Sequence, residues 1–211
     1  NGQKTNKKER IPKIRKLDRQ TSNKGLIVLT LLFFIVLLFI IYFQSDLSHL
    51  KTVTVENNHF VRPEEVLQKA HLEIGMFYFD FKTEEVEKVI EAMPMVKSAE
   101  VIRDLPNRLL IRVQEYPVVA LWSEEDGLFP VLSNGYILGE KVKQGKIEHP
   151  ILNGWPHRDG VKELSGELEK LSPSVTHLIS EIVLTPSLSD PYRLTLYMVD
   201  GFEVITSIRK F

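Results

Sequence analysis

An uncharged, apolar run near the N-terminus sets the limits on what this chain can fold into. The eighteen residues 26–43 are almost all Leu, Ile, Val or Phe, and the uncharged stretch covers residues 25–45. As a helix with a rise of about 1.5 Å per residue, the run is about 27 Å long, close to the roughly 30 Å hydrocarbon core of a bilayer. Because a helix pairs its own backbone polar groups, the sequence predicts a transmembrane helix over residues 25–45.

A cleaved signal peptide is the main alternative to a membrane anchor. Its apolar region usually covers about 7 to 15 residues and ends at a site of small residues. Here the run is longer, and the residues 44–48 that follow it do not form such a site. The pattern therefore favours an uncleaved anchor over a signal peptide or the buried helix of a soluble protein.

Charge is distributed unevenly on the two sides of this run. The whole chain has a formal net charge of -1, but residues 1–24 carry nine Lys or Arg against Glu9 and Asp18. By the positive-inside rule, the basic arm over 1–24 is expected in the cytoplasm and the C-terminal part outside. The arm has too few large apolar residues to bury a core, so it is interpreted as a disordered topology determinant or, alternatively, as a segment attracted to anionic lipid. Nucleic-acid binding is not expected, because no aromatic or folded reader accompanies the charge.

No group of residues in the chain predicts catalysis. There is no cysteine, and the sequence lacks a phosphate-binding Gly-rich loop, a His-Glu-x-x-His helix, a nucleophile elbow and a Ser-x-x-Lys motif. The six histidines are scattered. His177 and Glu181 are four residues apart and could share a face of a helix, but two ligands without a third make a weak metal site. We therefore expect no catalytic residues, no metal and no cofactor.

Residues 51–116 predict a small α+β domain. The expected elements are a strand over 51–56, a helix over 63–70, a helix from Thr83 as N-cap to Pro94, and strands over 96–103 and 109–115. The second helix carries one apolar stripe, made by Val86, Val89, Ile90 and Met93. Two helices on one face of a three-stranded sheet leave a sheet edge open, and an open edge can accept a strand from a partner.

An aromatic cluster lies between the two helices. Phe77, Tyr78, Phe79 and Phe81 follow Gly75 within a few residues. A ligand-binding box is one interpretation, but packing of the connecting loop onto the core is the favoured one.

Residues 117–211 predict a mostly antiparallel β domain with one helix. Strands are expected over 118–122, 128–132, 136–138 and 181–184, and a late hairpin pairs 193–198 with 202–207. The helix has an apolar stripe of Val161, Leu164, Leu168 and Leu171, and a short helical turn begins at Ser172-Pro173. Residues 139–156 are interpreted as loop rather than as a regular element.

Several local strings resemble the FtsQ/DivIB family of bacterial cell-division proteins, specifically its Gram-positive DivIB branch. They are Glu-Arg-Ile-Pro-Lys-Ile at 9–14, Val-Thr-Val-Glu-Asn at 53–57, Met-Val-Lys-Ser-Ala-Glu-Val at 95–101, Leu-Pro-Asn at 105–107, Val-Gln-Glu-Tyr-Pro-Val-Val-Ala at 113–120 and Gly-Phe-Glu-Val at 201–204. The strand, helix, helix, strand, strand unit is similar to a POTRA domain. Such units also occur in outer-membrane assembly proteins, but those lack the preceding transmembrane helix.

The resemblance implies a non-enzymatic scaffold of the divisome. Such a protein would lie in the cell membrane at the division septum and bind two other single-pass proteins, FtsL and DivIC, and through them the machinery of septal peptidoglycan synthesis. The main alternative is a membrane-anchored sensor or enzyme whose distal domain binds a cell-wall or small-molecule ligand.

Family partner contacts lie largely on the distal β domain, so the resemblance points to the late hairpin as the candidate partner-binding site. The residues assigned to it are Arg193, Thr195, Tyr197, Phe202, Glu203, Val204 and Thr206. The chain starts without Met and ends in the middle of a pattern, so both termini are expected to be trimmed and the β domain to be truncated at its C-terminal end.

Overall fold

The computed structural model describes residues 23–142, 148–155 and 157–210. Most of the predicted basic arm, residues 1–22, lies outside the described residues. By its internal contacts the chain divides after Ser45 into two units, which are described separately.

The first unit contains one long apolar helix, α1, Lys24–Gln44. Its 21 residues are about 31 Å long at 1.5 Å per residue, and none of its side chains is buried. Among the described residues it is the one helix long and apolar enough to cross a membrane. This helix fits a single-pass membrane anchor.

The second unit begins with a short 3-10 turn at Asp46–Ser48 and then forms a three-stranded sheet covered by two helices. The elements are β1 Thr52–Glu56, α2 Pro63–Lys69, α3 Thr83–Glu91, β2 Val96–Asp104 and β3 Arg108–Glu115. The strand order is β1-β3-β2, with β1 parallel and β2 antiparallel to β3. Asn57 ends β1 in the left-handed conformation, with φ 62°, which Asn tolerates better than most residues.

Two details of the α3 prediction are wrong. Thr83 lies inside α3, and the residue before the helix is Lys82, without a side-chain capping bond. Val89 was predicted to face the sheet, but its side chain is 38% exposed, whereas Ile90 is fully buried. A helix of only nine residues on a small sheet buries a narrow stripe, and Val89 lies at the edge of that stripe.

Two residues of the aromatic cluster between α2 and α3, Tyr78 and Phe81, pack into the core, while Phe79 is half exposed. Tyr78 is fully buried, and its hydroxyl donates a hydrogen bond of 2.8 Å to the carbonyl oxygen of Arg108. Arg103 donates from Nη1 to the Tyr78 carbonyl at 2.8 Å and lies against the Phe79 ring. These contacts support the core-packing interpretation.

The rest of the second unit is a six-stranded sheet with one principal helix. Its elements are β4 Val118–Glu124, β5 Gly127–Leu132, β6 Ile151–Asn153, α4 Val161–Lys170, α5 Pro173–Thr176, β7 Ile179–Leu184, β8 Arg193–Met198 and β9 Glu203–Ser207. The strand order is β5-β4-β6-β7-β8-β9. The α4 stripe packs with the sheet in one core cluster that includes Trp122, Leu152, Trp155 and Ile182. The α+β fold class is confirmed, while the boundary predicted between 51–116 and 117–211 stays a prediction.

Two predictions for this sheet are wrong. Residues 139–156 were interpreted as loop, yet they contain β6, which lies in the sheet interior and pairs in parallel with β4 and β7. The strand predicted over 136–138 is reduced to a single bridge between Val131 and Ile137. His177 caps the C-terminal end of α5 and Glu181 lies in β7, so these two residues do not share a helix face.

Candidate functional site

The late hairpin consists of β8 and β9, which pair antiparallel with Leu194 opposite Thr206 and Leu196 opposite Val204. Gly201 closes the turn with φ 91°, and its N–H donates to the Met198 carbonyl at 3.0 Å. Glycine adopts such a left-handed conformation without steric cost. Within the described residues, β9 lies at one edge of the six-stranded sheet.

One face of the hairpin is turned towards the core. Leu194 and Leu196 of β8 are buried in the core cluster, and Met198 packs against it. Opposite them on β9, Thr206 is half-buried but Val204 is exposed. The hydrophobic core therefore covers β8 more completely than β9, and the side chain of Val204 on the edge strand is left accessible to water.

The other face of the hairpin combines a fixed part and an exposed part. The Thr195 hydroxyl is buried and lies 2.9 Å from the Thr185 hydroxyl, and Arg193 donates from Nε to the Thr185 carbonyl at 2.6 Å. Tyr197, across from Glu203, is exposed. These side-chain bonds hold β8 in place, so the exposed residues are presented on a rigid support.

The structure brings the seven predicted site residues together on one hairpin but exposes them unequally. Tyr197, Phe202, Glu203 and Val204 are exposed, Arg193 and Thr206 are half-buried, and Thr195 is buried. Phe202, beside the turn, is 70% exposed. Four of the seven residues are thus directly accessible to a partner.

Two exposed apolar residues of the hairpin were missed by the prediction. Ile205 in β9 is 68% exposed, and Val199 in the turn is 67% exposed. Ile205 lies two residues after Glu203 on the same side of β9. Because side chains alternate along a strand, the exposed Glu203 was a signal that marked Ile205 as outward-facing.

Charges around the hairpin are separated along its length. Asp200 and Glu203 lie at the turn, whereas Arg193 and the residues Arg209 and Lys210 lie towards the other end. Arg209 is held with its guanidinium carbon 5.2 Å from the centre of the Tyr192 ring. The exposed apolar side chains therefore lie between acidic residues at the turn and basic residues at the opposite end of the hairpin.

The described residues contain no group of three or more His, Asp or Glu side chains that could hold a metal ion. Burial lowers the pKa of His149. His149, His177 and Glu148 line a cleft of about 330 Å³ beside Val199, but these side chains do not form a group that could hold a metal ion. The geometry of the hairpin suits contact with another polypeptide.

Two known families match consecutive parts of this chain. The POTRA domain of FtsQ type matches residues 48–116, and the C-terminal domain of the cell division protein FtsQ/DivIB matches residues 120–211. Cell division protein DivIB of Bacillus subtilis (strain 168) is 35% identical over 207 residues, which cover 98% of this chain and 78% of the relative. DivIB of Geobacillus kaustophilus (strain HTA426) is 32% identical over 204 residues, covering 96% of this chain and 78% of the relative.

The similar solved structures include that of the major extracytoplasmic domain of the trans isomer of the bacterial cell division protein DivIB from Geobacillus stearothermophilus. It is 34% identical and covers 46% of this chain and 82% of its own, with a TM-score of 0.42.

The fold and the family matches define a protein with an N-terminal apolar helix, a POTRA domain of FtsQ type and a sheet-rich C-terminal domain. The chain belongs to the FtsQ/DivIB family of bacterial cell division proteins. The resemblance found in the sequence is confirmed.

Proposed function

We propose that this chain is a non-enzymatic scaffold of the bacterial divisome. In this proposal α1 anchors it in the cell membrane at the septum, with the basic arm in the cytoplasm and both domains outside. The distal β domain binds bitopic division proteins of the FtsL and DivIC type and so helps to regulate septal peptidoglycan synthesis. Membership of a family of cell division proteins supports the general role.

The observation that carries the partner-binding part is the exposure of Ile205 and Phe202 on an edge hairpin. Large apolar side chains at 68% and 70% exposure are costly in water and are favourable when a partner covers them. Interfaces of this kind concentrate their energy in a few such residues.

The mode of binding that fits the hairpin is addition of a strand. On the side away from β8, the backbone groups of β9 face no other strand of the described residues. An extended partner segment that pairs there gains main-chain hydrogen bonds, and its alternating side chains meet Ile205 on one face and Val204 on the other. The acidic residues at the turn and the basic residues at the opposite end of the hairpin favour a partner segment whose charges run in the opposite order. This order fixes the direction of the added strand.

The proposed topology rests on charge. Residues 1–24 hold nine Lys and Arg, whereas residues 45–64 after α1 hold two, Lys51 and Arg62, and this bias keeps the N-terminal side of a single span in the cytoplasm. The domains that follow α1 are then placed on the outer side, where the external parts of other bitopic proteins are within reach.

Substitution of Ile205 tests the partner-binding proposal. We expect Ile205→Glu in the full chain to weaken co-purification of the FtsL-type and DivIC-type proteins by about tenfold or more, since burying an Ile is worth about 1.5 to 3 kcal/mol. Leu188→Glu is the matched control, because Leu188 is a fully exposed apolar residue of the same domain, in the loop between β7 and β8.

A photo-crosslinking amino acid at position 205 or 188 in growing cells supplies the second measurement. Crosslinks to the two partners from 205 and not from 188 are expected. An Ile205→Glu chain that melts normally and still co-purifies both partners at the level of the unsubstituted chain would overturn the proposed site.

A further inference from the structure

One end of the POTRA domain is tied to the segment that leaves α1. The Tyr78 N–H donates to the Ser48 carbonyl, and the Gly75 N–H donates to the Leu50 carbonyl, each at 2.8 Å. The Lys51 N–H donates to the Asn107 carbonyl at 2.9 Å. The loop 73–79 and the turn 105–107 therefore lie at the same end as residues 46–51, where β1 and β3 begin and β2 ends.

The most exposed large apolar residues of the POTRA domain lie at this end. Ile74, Phe79 and Leu105 are 60%, 50% and 65% exposed. Elsewhere in the described part of this domain, Phe60 and Val89 are at most 40% exposed. The uneven distribution indicates that this end meets an apolar environment.

Two of these side chains lie in segments that are held in place. The guanidinium carbon of Arg103 lies 5.1 Å from the centre of the Phe79 ring, and the Tyr78 ring meets that of Phe79 edge-on at 5.2 Å. Ile74 precedes Gly75, whose N–H is bonded to the Leu50 carbonyl. These apolar side chains are consequently presented at fixed positions.

The length of the connecting segment keeps this end close to the bilayer. Only residues 46–51 separate Ser45 from β1. Six residues cover at most about 20 Å when extended, and the 3-10 turn at Asp46–Ser48 shortens this reach. If α1 spans a membrane, the three apolar side chains are within reach of the headgroup region of the adjoining leaflet.

The charges at this end favour insertion of apolar side chains into the membrane over electrostatic attraction to anionic lipid. Asp46 pairs with Lys51 at 3.3 Å, and Asp104 pairs with Arg108 at 3.0 Å. Glu73 adds an exposed negative charge beside Ile74. Since acidic side chains balance the charge of the basic ones, a membrane surface of zwitterionic lipid suits this end of the domain.

We propose that the POTRA domain rests on the leaflet at its own side of the membrane, with Ile74, Phe79 and Leu105 inserted among the lipid headgroups. The contact goes beyond the partner-binding function and restricts the directions in which the distal hairpin can be presented.

Single-cysteine labelling of the full chain in nanodiscs of phosphatidylcholine tests this contact. The chain contains no cysteine, so Ile74→Cys, Phe79→Cys and Leu105→Cys each create one site for an environment-sensitive fluorophore. Val89→Cys is the matched control on an exposed apolar residue away from this end, and Ile35→Cys reports on the span. Melting curves exclude unfolded variants, and the exposed turn positions 74 and 105 suffice if Phe79→Cys unfolds.

We expect a blue-shifted emission, quenching by spin-labelled lipid and protection from iodide at 74, 79 and 105, but not at 89. Iodide access at the three positions equal to that at 89, with lipid quenching at 35, would overturn the contact and leave the anchor intact. Absence of lipid quenching at position 35 would overturn both the lipid contact and the membrane anchor. A surface that is open to iodide in the nanodisc would be assigned to a protein partner instead.

Discussion

Lys97 Nζ lies 2.9 Å from Glu169 Oε1, so that β2 of the POTRA domain is joined to α4 of the C-terminal domain. Asn134 adds a second polar link, because its Nδ2 donates to the Pro94 carbonyl at 2.8 Å. The hydrophobic cluster of each domain contains none of the residues of the other. These two polar side-chain contacts therefore link the two domains outside their hydrophobic clusters.

The Lys97–Glu169 pair is expected to contribute little to stability. Both side chains are partly exposed, and such pairs are worth about 0.2 to 1 kcal/mol. A double-mutant cycle with Lys97→Met and Glu169→Gln, measured by urea unfolding, should give a coupling energy in this range that falls in high salt. A coupling energy of zero at low salt would contradict the expected contribution of the pair.

The same pair should respond to pH with a defined sign. The hydrogen bond from Lys97 lowers the pKa of Glu169 below its usual 4.5, and that bond raises the pKa of Lys97 above 10.5. The coupling is therefore present at neutral pH and is lost as pH falls through the lowered pKa of Glu169 or rises through the raised pKa of Lys97. Repeating the cycle at acidic pH well below that lowered pKa should give no coupling, and a coupling that survives there would contradict the assignment.

Glu115 should be a strong contributor to the stability of the POTRA domain. Its carboxylate is almost fully buried and accepts backbone N–H bonds of 2.9 to 3.0 Å from His59, Phe60 and Val61. Removing a buried charged acceptor costs about 1 to 3 kcal/mol, so Glu115→Ala should lower the free energy of unfolding by this amount. Urea titration measures it, with Glu100→Ala on the exposed part of β2 as the control, expected below about 1 kcal/mol.

Neighbouring residues of α3 should differ sharply in their tolerance of charge. Ile90→Asp places an unpaired carboxylate in the core and should destabilise the domain by several kcal/mol. Val89→Asp leaves its charge in water and should cost about 1 kcal/mol or less. Thermal unfolding of both variants checks this, and equal melting temperatures would refute the placement of α3 on the sheet.

Two glycines should respond to alanine with opposite signs. Gly135 has φ +83°, and a Cβ there would lie 2.6 Å from the Lys162 Cα, so Gly135→Ala should destabilise by more than about 1 kcal/mol. Gly166 lies within α4 with open space around it, so Gly166→Ala should stabilise by about 0.5 to 1 kcal/mol. Chemical denaturation distinguishes the two, and stabilisation by Gly135→Ala would contradict the turn geometry.

Elements with a long, regular pattern were predictable from the sequence. α1 and α4 follow from an unbroken apolar run and from a stripe of period 3.6, and the Arg193–Ser207 hairpin follows from alternation around a glycine turn. In each case the signal lies within the element itself.

Short elements that depend on distant partners were not predictable. Ile151–Asn153 is three residues long, too short to show a period, and it becomes a strand only because β4 and β7 flank it. The exposure of Val204, which pairs with the buried Leu196, likewise depends on how far the hydrophobic core extends across the sheet, and a local pattern does not show this. The sequence therefore placed the seven candidate residues on one hairpin, while the accessible surface of that hairpin required the fold.

The three residues of β6 form a seam in the six-stranded sheet. In hydrogen-bonding order, β5 and β4 lie on one side of it and β7, β8 and β9 on the other. β4 follows directly from the POTRA domain, whereas the candidate hairpin belongs to the far group. Within the sheet, a mechanical pull on β9 passes to β4 through β6, which is joined by two paired positions to β4 and by three to β7. This short pairing makes β6 the narrowest hydrogen-bonded link between the two groups of strands.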